Sequence, residues 1–121
     1  MITNTIVSLL IAIRVVESSD GLDQKANGND YQITSVCLHD VNRIYGTRYR
    51  WPDDTRDRET AENIVMLYLT YYGYKYYEDF HRIPSREVIA KIYRCGYTGF
   101  RRGDKRGNAY WRKIKKVKEG K

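Results

Sequence analysis

The sequence predicts a compact, mainly α domain, and three observations lead to this fold class. Apolar residues recur at helical spacing in five stretches of the chain. No stretch longer than a few residues is convincing as a β-strand. No internal repeat or linker divides the 121 residues, which suffice for a single modest core. We therefore expect one domain over residues 1–121, with short helices and rather long loops.

The first predicted helix runs from Asn4 to Ser18 and is the most apolar part of the chain. Its apolar residues cover nearly the whole circumference, which is typical of an interior helix. Glu17 lies in the last turn, where burial and the negative end of the helix dipole both penalise an ionised carboxylate. The sequence therefore predicts a raised pKa for Glu17. A carboxyl that stays protonated near neutral pH can act as a general acid, although most glutamates in such a position are simply solvated.

A second helix is predicted after the polar loop of residues 18–30 and a short extended or turn-like segment, residues 31–34. Thr34 or Ser35 can cap this helix, and Gly46 ends it. Its expected buried residues are Val36, Val41, Ile44 and Tyr45.

Three more helices complete the predicted domain. One covers about residues 56–72 and ends at Gly73, and the aromatic stretch YKYYEDFHR that follows can form a further helical turn or two. The next helix is capped by Ser85 and runs to about Arg94 before a glycine-rich loop. Asn108 caps the last helix, in which Lys and Arg side chains face water. The residues expected to dock this helix are Tyr110, Trp111, Ile114 and Val117.

The positive charge of the chain is concentrated at its C-terminal end. The net charge is +7, and residues 101–121 contain ten Lys or Arg residues against Asp104 and Glu119. This basic tail suggests an anionic polymer as partner, which could be nucleic acid, a lipid surface or an acidic wall polymer. A merely solubilising helix face is the alternative.

Several kinds of site are not indicated by the sequence. Cys37 and Cys95 form neither a disulfide framework nor a metal motif, and His39 and His81 lie far apart without nearby cysteines. The N-terminal apolar run is too short to span a bilayer, is interrupted by Arg14 and lacks the features of a signal peptide. We therefore expect no zinc site and no membrane span, and any route of export is unknown.

Three short motifs follow one another along the chain: ES at residues 17–18, YQIT at residues 31–34 and IYRCGYTG at residues 92–99. With the flanking stretches VNRIYGTRY, LYLTYYGYKY and YWRKIKKV, they resemble the lytic transglycosylase and goose-type lysozyme superfamily, especially its small phage and bacterial members. The resemblance covers nearly the whole chain. It implies a lysozyme-like fold, in which a buried central helix carries the catalytic glutamate beside a substrate cleft.

The activity implied by the resemblance is cleavage of the β-1,4 bond between N-acetylmuramic acid and N-acetylglucosamine in peptidoglycan. Glu17 would protonate the glycosidic oxygen and then take a proton back. The implied substrate-binding residues are Ser18, Tyr31, Gln32, Tyr93 and Tyr97. The resemblance implies no cofactor and no metal. Each also has an ordinary structural explanation, as a helix cap, loop amide, core aromatic or surface tyrosine.

A second catalytic carboxylate is not evident. Asp20, Asp23 and Asp30 lie in a loop from which one of them could approach Glu17, but a solvated role fits each. The absence of a clear partner fits the lytic transglycosylase branch, in which the N-acetyl group of the substrate stabilises the cationic centre and a 1,6-anhydro product forms. We expect a monomeric phage or prophage protein that acts at the bacterial wall, in the periplasm or on the virion.

The sequence also departs from the family pattern. Arg94 stands where an Asn is customary, Cys95 replaces a Gly, and the loop between Glu17 and Gln32 is short. A degenerate module that binds wall glycan or serves a structural virion role is therefore one alternative. Another is a nucleic-acid-binding protein that uses the basic tail, which the absence of a recognisable DNA or RNA motif makes less favoured.

Overall fold

The computed structural model describes residues 2–117, and these form a mainly α structure without strands. The helices are α1 (Ile2–Ser18), α2 (Ser35–Tyr45), α3 (Arg58–Phe80), α4 (Arg86–Arg101) and α5 (Arg106–Lys116), and a 3₁₀ turn (Asp53–Arg56) precedes α3. The mainly α class predicted from the sequence is confirmed. The chain divides into two compact units: unit A contains residues 14–68, and unit B contains the residues up to 13 and those from 69 onward.

In unit A, α2 has the predicted ends. The Thr34 hydroxyl accepts a hydrogen bond from the Cys37 amide at 3.1 Å, and Gly46 closes the helix in the left-handed region with φ 68°. The predicted buried set is only partly right. Val36 is 76% exposed because it lies on the side of the helix opposite Leu38 and Val41, which are the buried residues.

The other two residues of that set are not fully buried either. Ile44 is half-buried, and the ring of Tyr45, at the last position of α2, is partly exposed. The Tyr45 hydroxyl donates a hydrogen bond to the Leu67 carbonyl at 2.8 Å. Tyr45 therefore contacts α3 through its polar tip, which fits the amphipathic character of tyrosine.

In unit B, the predicted end of the third helix at Gly73 is wrong, because α3 continues to Phe80 through the aromatic stretch for which further helical turns were the open alternative. Gly73 is buried, and a Cβ atom built on it would lie 2.9 Å from Cγ2 of Ile2 and 3.4 Å from Cδ1 of Ile89. The missing side chain thus allows α1 and α4 to approach this helix closely. Its role is packing rather than helix termination.

Helix α4 begins as predicted and ends later than predicted. The Ser85 hydroxyl accepts a hydrogen bond from the Val88 amide at 3.2 Å, which caps the first turn. The helix then extends to Arg101 instead of ending near Arg94, with a break at Gly96 (φ 74°, ψ 163°). Residues 97–101, which the sequence predicts to lie in a glycine-rich loop, are therefore helical.

Helix α5 begins at Arg106, two residues before the predicted cap Asn108, and packs against α4. Tyr110 and Ile114 are buried as predicted, whereas Trp111 and Val117 are only half-buried. Helix α1 also differs from the sequence expectation. Half of its residues in unit B are buried, but Val7 and Ile11 form an exposed stripe, so the helix is not interior around its whole circumference.

Candidate functional site

The end of α1 lies in unit A and carries Glu17 as a half-buried residue of the last turn. The backbone then turns sharply, since Ser19 and Asp20 both adopt positive φ values. The Ser19 amide donates to the Val15 carbonyl at 2.9 Å, and the Asp20 amide donates to the Arg14 carbonyl at 3.2 Å. The helix end expected from the sequence is confirmed, and the raised pKa of Glu17 stays a prediction.

Ser18, next to the candidate acid, is fully buried and connects α1 to the loop that precedes the YQIT segment. Its hydroxyl oxygen lies 2.6 Å from the Asp30 carbonyl oxygen and 3.1 Å from that of Arg14. It also accepts a hydrogen bond from the Gly21 amide at 2.9 Å. The ES motif is therefore joined to Asp30, the residue directly before the YQIT motif, through one buried hydroxyl.

The carboxylate of Asp30 is the centre of a polar network beside this junction. Its side chain is 10% exposed and accepts hydrogen bonds from Nε of Arg58 at 2.6 Å and from Nε2 of Gln24 at 2.7 Å. Burial alone would raise the pKa of Asp30, but these two donors outweigh it and the pKa lies below its ordinary value. Arg58 also donates to the Asp20 carbonyl at 3.1 Å, which ties the loop to α3.

A second set of contacts links α1 to α3 through the phenol of Tyr31. Its hydroxyl donates to the Glu62 carboxylate at 2.6 Å and accepts from Nη1 of Arg14 at 3.2 Å. Burial and the Glu62 carboxylate both raise the pKa of Tyr31. Arg14 also pairs with the Asp20 carboxylate. Tyr31 has no exposed surface with which to touch a sugar. Its contacts are those of a residue that holds α1 against α3.

The Gln32 side chain is occupied by the loop in which it lies. Its Nε2 donates to the Asn29 carbonyl at 2.7 Å and to the Gln24 carbonyl, and its Oε1 accepts from the Asn27 amide at 3.3 Å. Gln32 itself has a positive φ of 53°. These contacts correspond to the ordinary loop-amide role. A sugar could reach the amide only by replacing some of these partners.

The two remaining predicted residues, Tyr93 and Tyr97, belong to α4 in unit B. The sequence predicts a loop position for Tyr97, but Tyr97 lies in the helix and is 7% exposed. Its ring stacks on Tyr72 with centroids 5.7 Å apart, and its hydroxyl donates to the Asp79 carboxylate at 2.5 Å. Burial and Asp79 raise the pKa of Tyr97. Tyr97 is thus part of an aromatic cluster, while Tyr93 is half-buried.

The structure places four of the six predicted site residues in unit A, namely Glu17, Ser18, Tyr31 and Gln32. The network around them contains residues that the sequence analysis missed: Arg14, Gln24, Arg58 and Glu62. Only Arg14 left a signal in the sequence, as a lone cation within an apolar helix. Such a residue needs a partner for its charge when its stem is buried.

The possible second carboxylates are also accounted for within unit A. Asp20 pairs with Arg14, and Asp30 pairs with Arg58, whereas Asp23 is exposed. Both carboxylate oxygens of Asp30 accept hydrogen bonds, so Asp30 could act as a general base only after one of them is broken, whereas Asp20 contacts Arg14 through Oδ1 alone. This arrangement is compatible with chemistry that uses a single carboxyl group.

Among residues 2–117, no group of three or more His, Cys, Asp or Glu side chains is arranged to hold a metal ion. Within the same residues, none of the helices combines the length and the apolar character that a bilayer crossing needs. Both cysteines are free thiols, and burial raises the pKa of Cys37 to about 12.

No protein-family model, curated protein or solved structure matches the chain.

Proposed function

We propose that the chain is a peptidoglycan-cleaving enzyme of the lytic transglycosylase or muramidase type, with a lysozyme-like fold. It acts on the β-1,4 bond between N-acetylmuramic acid and N-acetylglucosamine. Glu17 serves as general acid and then as general base. The order of the ES, YQIT and IYRCGYTG motifs supports this proposal, which rests on resemblance.

One structural observation supports it most directly. The buried Ser18 hydroxyl lies 2.6 Å from the Asp30 carbonyl oxygen, so the ES dipeptide and the segment leading into YQIT form one ordered junction. Glu17 lies next to this junction, on the last turn of a helix whose end is fixed to α3 through Arg14 and Tyr31. A catalytic acid needs such fixed support, because small misplacements cost large factors in rate.

The occupied aspartates favour the transglycosylase variant of this chemistry. With Asp20 and Asp30 paired to arginines, the carbohydrate itself would supply the stabilising group, through its N-acetyl oxygen. The 6-hydroxyl of the same sugar would then attack as Glu17 takes back the proton, and a 1,6-anhydro end would result. A hydrolase would instead deliver water to the same centre.

Digestion of purified peptidoglycan tests the proposal. The wild-type chain is expected to release muropeptides with anhydro ends, detected by mass spectrometry, and Glu17→Gln should lower the rate roughly 100- to 10,000-fold because it removes the proton donor. Glu59→Gln is the matched control, since Glu59 is an exposed carboxylate in the first turn of α3.

Three outcomes of this digestion would correct the proposal. Reducing ends in place of anhydro ends would identify a hydrolase. Equal rates for Glu17→Gln and wild type, with both variants folded by circular dichroism, would remove Glu17 from the mechanism. Release of no fragments by the wild-type chain would exclude the enzymatic function.

The contacts of Tyr31 and Gln32 weigh against a direct role in catalysis and favour a second candidate, a lysozyme-like module that does not cut glycan and contacts the wall through other residues. The side chains of both residues are held by loop and helix partners. This candidate predicts that the wild-type chain stays bound to peptidoglycan in a sedimentation assay while no fragments are released.

A further inference from the structure

A strongly basic surface lies in unit B at the end of α4 and along α5. Between residues 101 and 116 the chain carries eight Lys or Arg residues and one acid, Asp104, and all eight cationic residues are exposed. We call these eight residues the basic face: Arg101, Arg102, Lys105, Arg106, Arg112, Lys113, Lys115 and Lys116.

Little of this charge is neutralised locally. Asp104 pairs with Arg106 at 2.6 Å, and the hydrogen bonds from Arg106 lower the pKa of Asp104 to about 2. Arg101 lies 3.6 Å from the Asp79 carboxylate. Within residues 2–117, the four cations of α5 beyond Arg106 form no ion pair. They project away from Tyr110 and Ile114, the residues that dock the helix.

The shape of the face indicates the kind of ligand. Helix α5 has 11 residues, so it is about 16 Å long. Its cations occur on successive turns of a convex helix surface and do not converge on a point, as they would around a single phosphate. Neighbouring cations lie within about one Debye length, so that their potentials add. A linear polyanion with regularly spaced charges matches this pattern.

The aromatic residues of α5 argue against single-stranded nucleic acid. Proteins that bind such strands stack bases on exposed aromatic side chains. Here Tyr110 is buried, and Trp111 is half-buried with the Lys115 ammonium 6.0 Å from its ring centroid. The basic face therefore offers charge without a stacking platform, which suits a phosphodiester polymer that carries no bases.

We propose that the basic face binds the phosphodiester chain of an anionic bacterial wall polymer of the teichoic acid type. The choice of this polymer rests on the glycan-cleaving function proposed above. Binding there would keep the protein on the wall while unit A acts on glycan. Because the contacts are with charges only, the affinity should fall steeply with salt.

The test is sedimentation of the full chain with purified walls that carry teichoic acid, and with the same walls after hydrofluoric acid has removed it. The variant Arg112→Gln/Lys113→Gln/Lys116→Gln loses three charges of the basic face. The control Lys25→Gln/Arg48→Gln/Arg56→Gln loses three exposed charges of unit A. At roughly 1 kcal/mol per cation near an anionic surface, the α5 variant should bind on the order of 100-fold more weakly.

We expect the wild type and the control to bind teichoic-acid walls and to be released by salt. Their binding to stripped walls should be weak, as weak as the binding of the α5 variant to intact walls. Equal binding to intact and stripped walls, or an α5 variant that binds like the control, would overturn the proposal. Binding to a 20-base-pair DNA duplex that depends on α5, without α5-dependent wall binding, would assign the face to nucleic acid instead.

The same proteins separate this proposal from the proposed activity. Glu17→Gln should bind teichoic-acid walls as wild type does, because Glu17 is not part of the basic face. If wild type binds these walls through α5 but cleaves no soluble glycan fragment, the enzymatic function fails and the binding surface stands. If it cleaves fragments but shows no α5-dependent wall binding, the surface proposal fails alone.

Discussion

Replacement of Asp30 by Asn should destabilise unit A markedly, because Asp30 is the acceptor that joins its loop to α3. Two donors, Arg58 and Gln24, point at this carboxylate at 2.6 and 2.7 Å. Hydrogen bonds to a charged group contribute about 1.5–3 kcal/mol each. The Asn oxygen can still accept one bond, and Arg58, with its side chain 48% exposed, regains water. The net loss should therefore be about 2 kcal/mol, or a fall in Tm of about 8 °C.

The sign of the pH dependence follows from the lowered pKa of Asp30. A carboxylate whose folded pKa is depressed stabilises the fold at pH values above its unfolded pKa, which is about 4. That stabilisation is lost as the pH falls through the folded pKa. The difference between wild type and Asp30→Asn should thus be complete at pH 7 and should shrink below about pH 4.

Urea denaturation followed by circular dichroism at pH 7 and at pH 3 measures both effects. Asp23→Asn removes a carboxylate of the same loop that is exposed, and it should unfold like wild type. Hydrogen exchange adds a local reading, since the Gly21 and Asp23 amides donate to Ser18 and should lose protection in Asp30→Asn only. If Asp30→Asn matches Asp23→Asn at pH 7, or the difference persists undiminished at pH 3, the charge of Asp30 is not the source of stability.

Two further substitutions test the packing of each unit. Tyr31→Phe removes the hydroxyl between Arg14 and Glu62 and should lower the free energy of unfolding by about 1–2 kcal/mol. Urea denaturation measures this loss against the control Tyr49→Phe. Equal midpoints for the two variants would show that the Tyr31 hydroxyl does not stabilise unit A. Gly73→Ala should lower Tm because the new Cβ atom would lie 2.9 Å from Cγ2 of Ile2, although alanine has the higher helix propensity. A higher Tm would show that helix propensity outweighs this close contact.

Local capping chemistry was readable in the sequence, because its partners are a few residues apart. Thr34, Gly46 and Ser85 all have the predicted cap roles, and these roles depend only on backbone groups within one turn. The end of α1 after Glu17 was predictable for the same reason. Helix existence and most helix starts followed from apolar spacing together with such caps.

The polar network of unit A could not be predicted, because its members come from three separated segments. Arg14 lies in α1, Asp30 in the loop, and Arg58 in the first turn of α3. Charged residues at these positions have no periodicity that distinguishes them from solvated ones. The same holds for Tyr31 and Gln32, whose side chains the motif suggested for substrate and the structure shows bound to neighbouring groups.

Three glycines show where sequence rules stop being sufficient. Gly46, Gly73 and Gly96 each follow an apolar helical stretch, and each was assigned to a helix end or to the loop after it. Gly46 ends α2 with a left-handed φ, Gly96 breaks α4 with φ 74° before the helix resumes, and Gly73 is an uninterrupted helical residue. What differs is the neighbour: a Cβ would meet nothing within 4 Å at Gly46 or Gly96, but Ile2 at Gly73. Gly46 and Gly96 are needed for a backbone conformation with positive φ, whereas Gly73 is needed because a neighbouring side chain leaves no room for a Cβ atom. Only the tertiary structure distinguishes these two requirements.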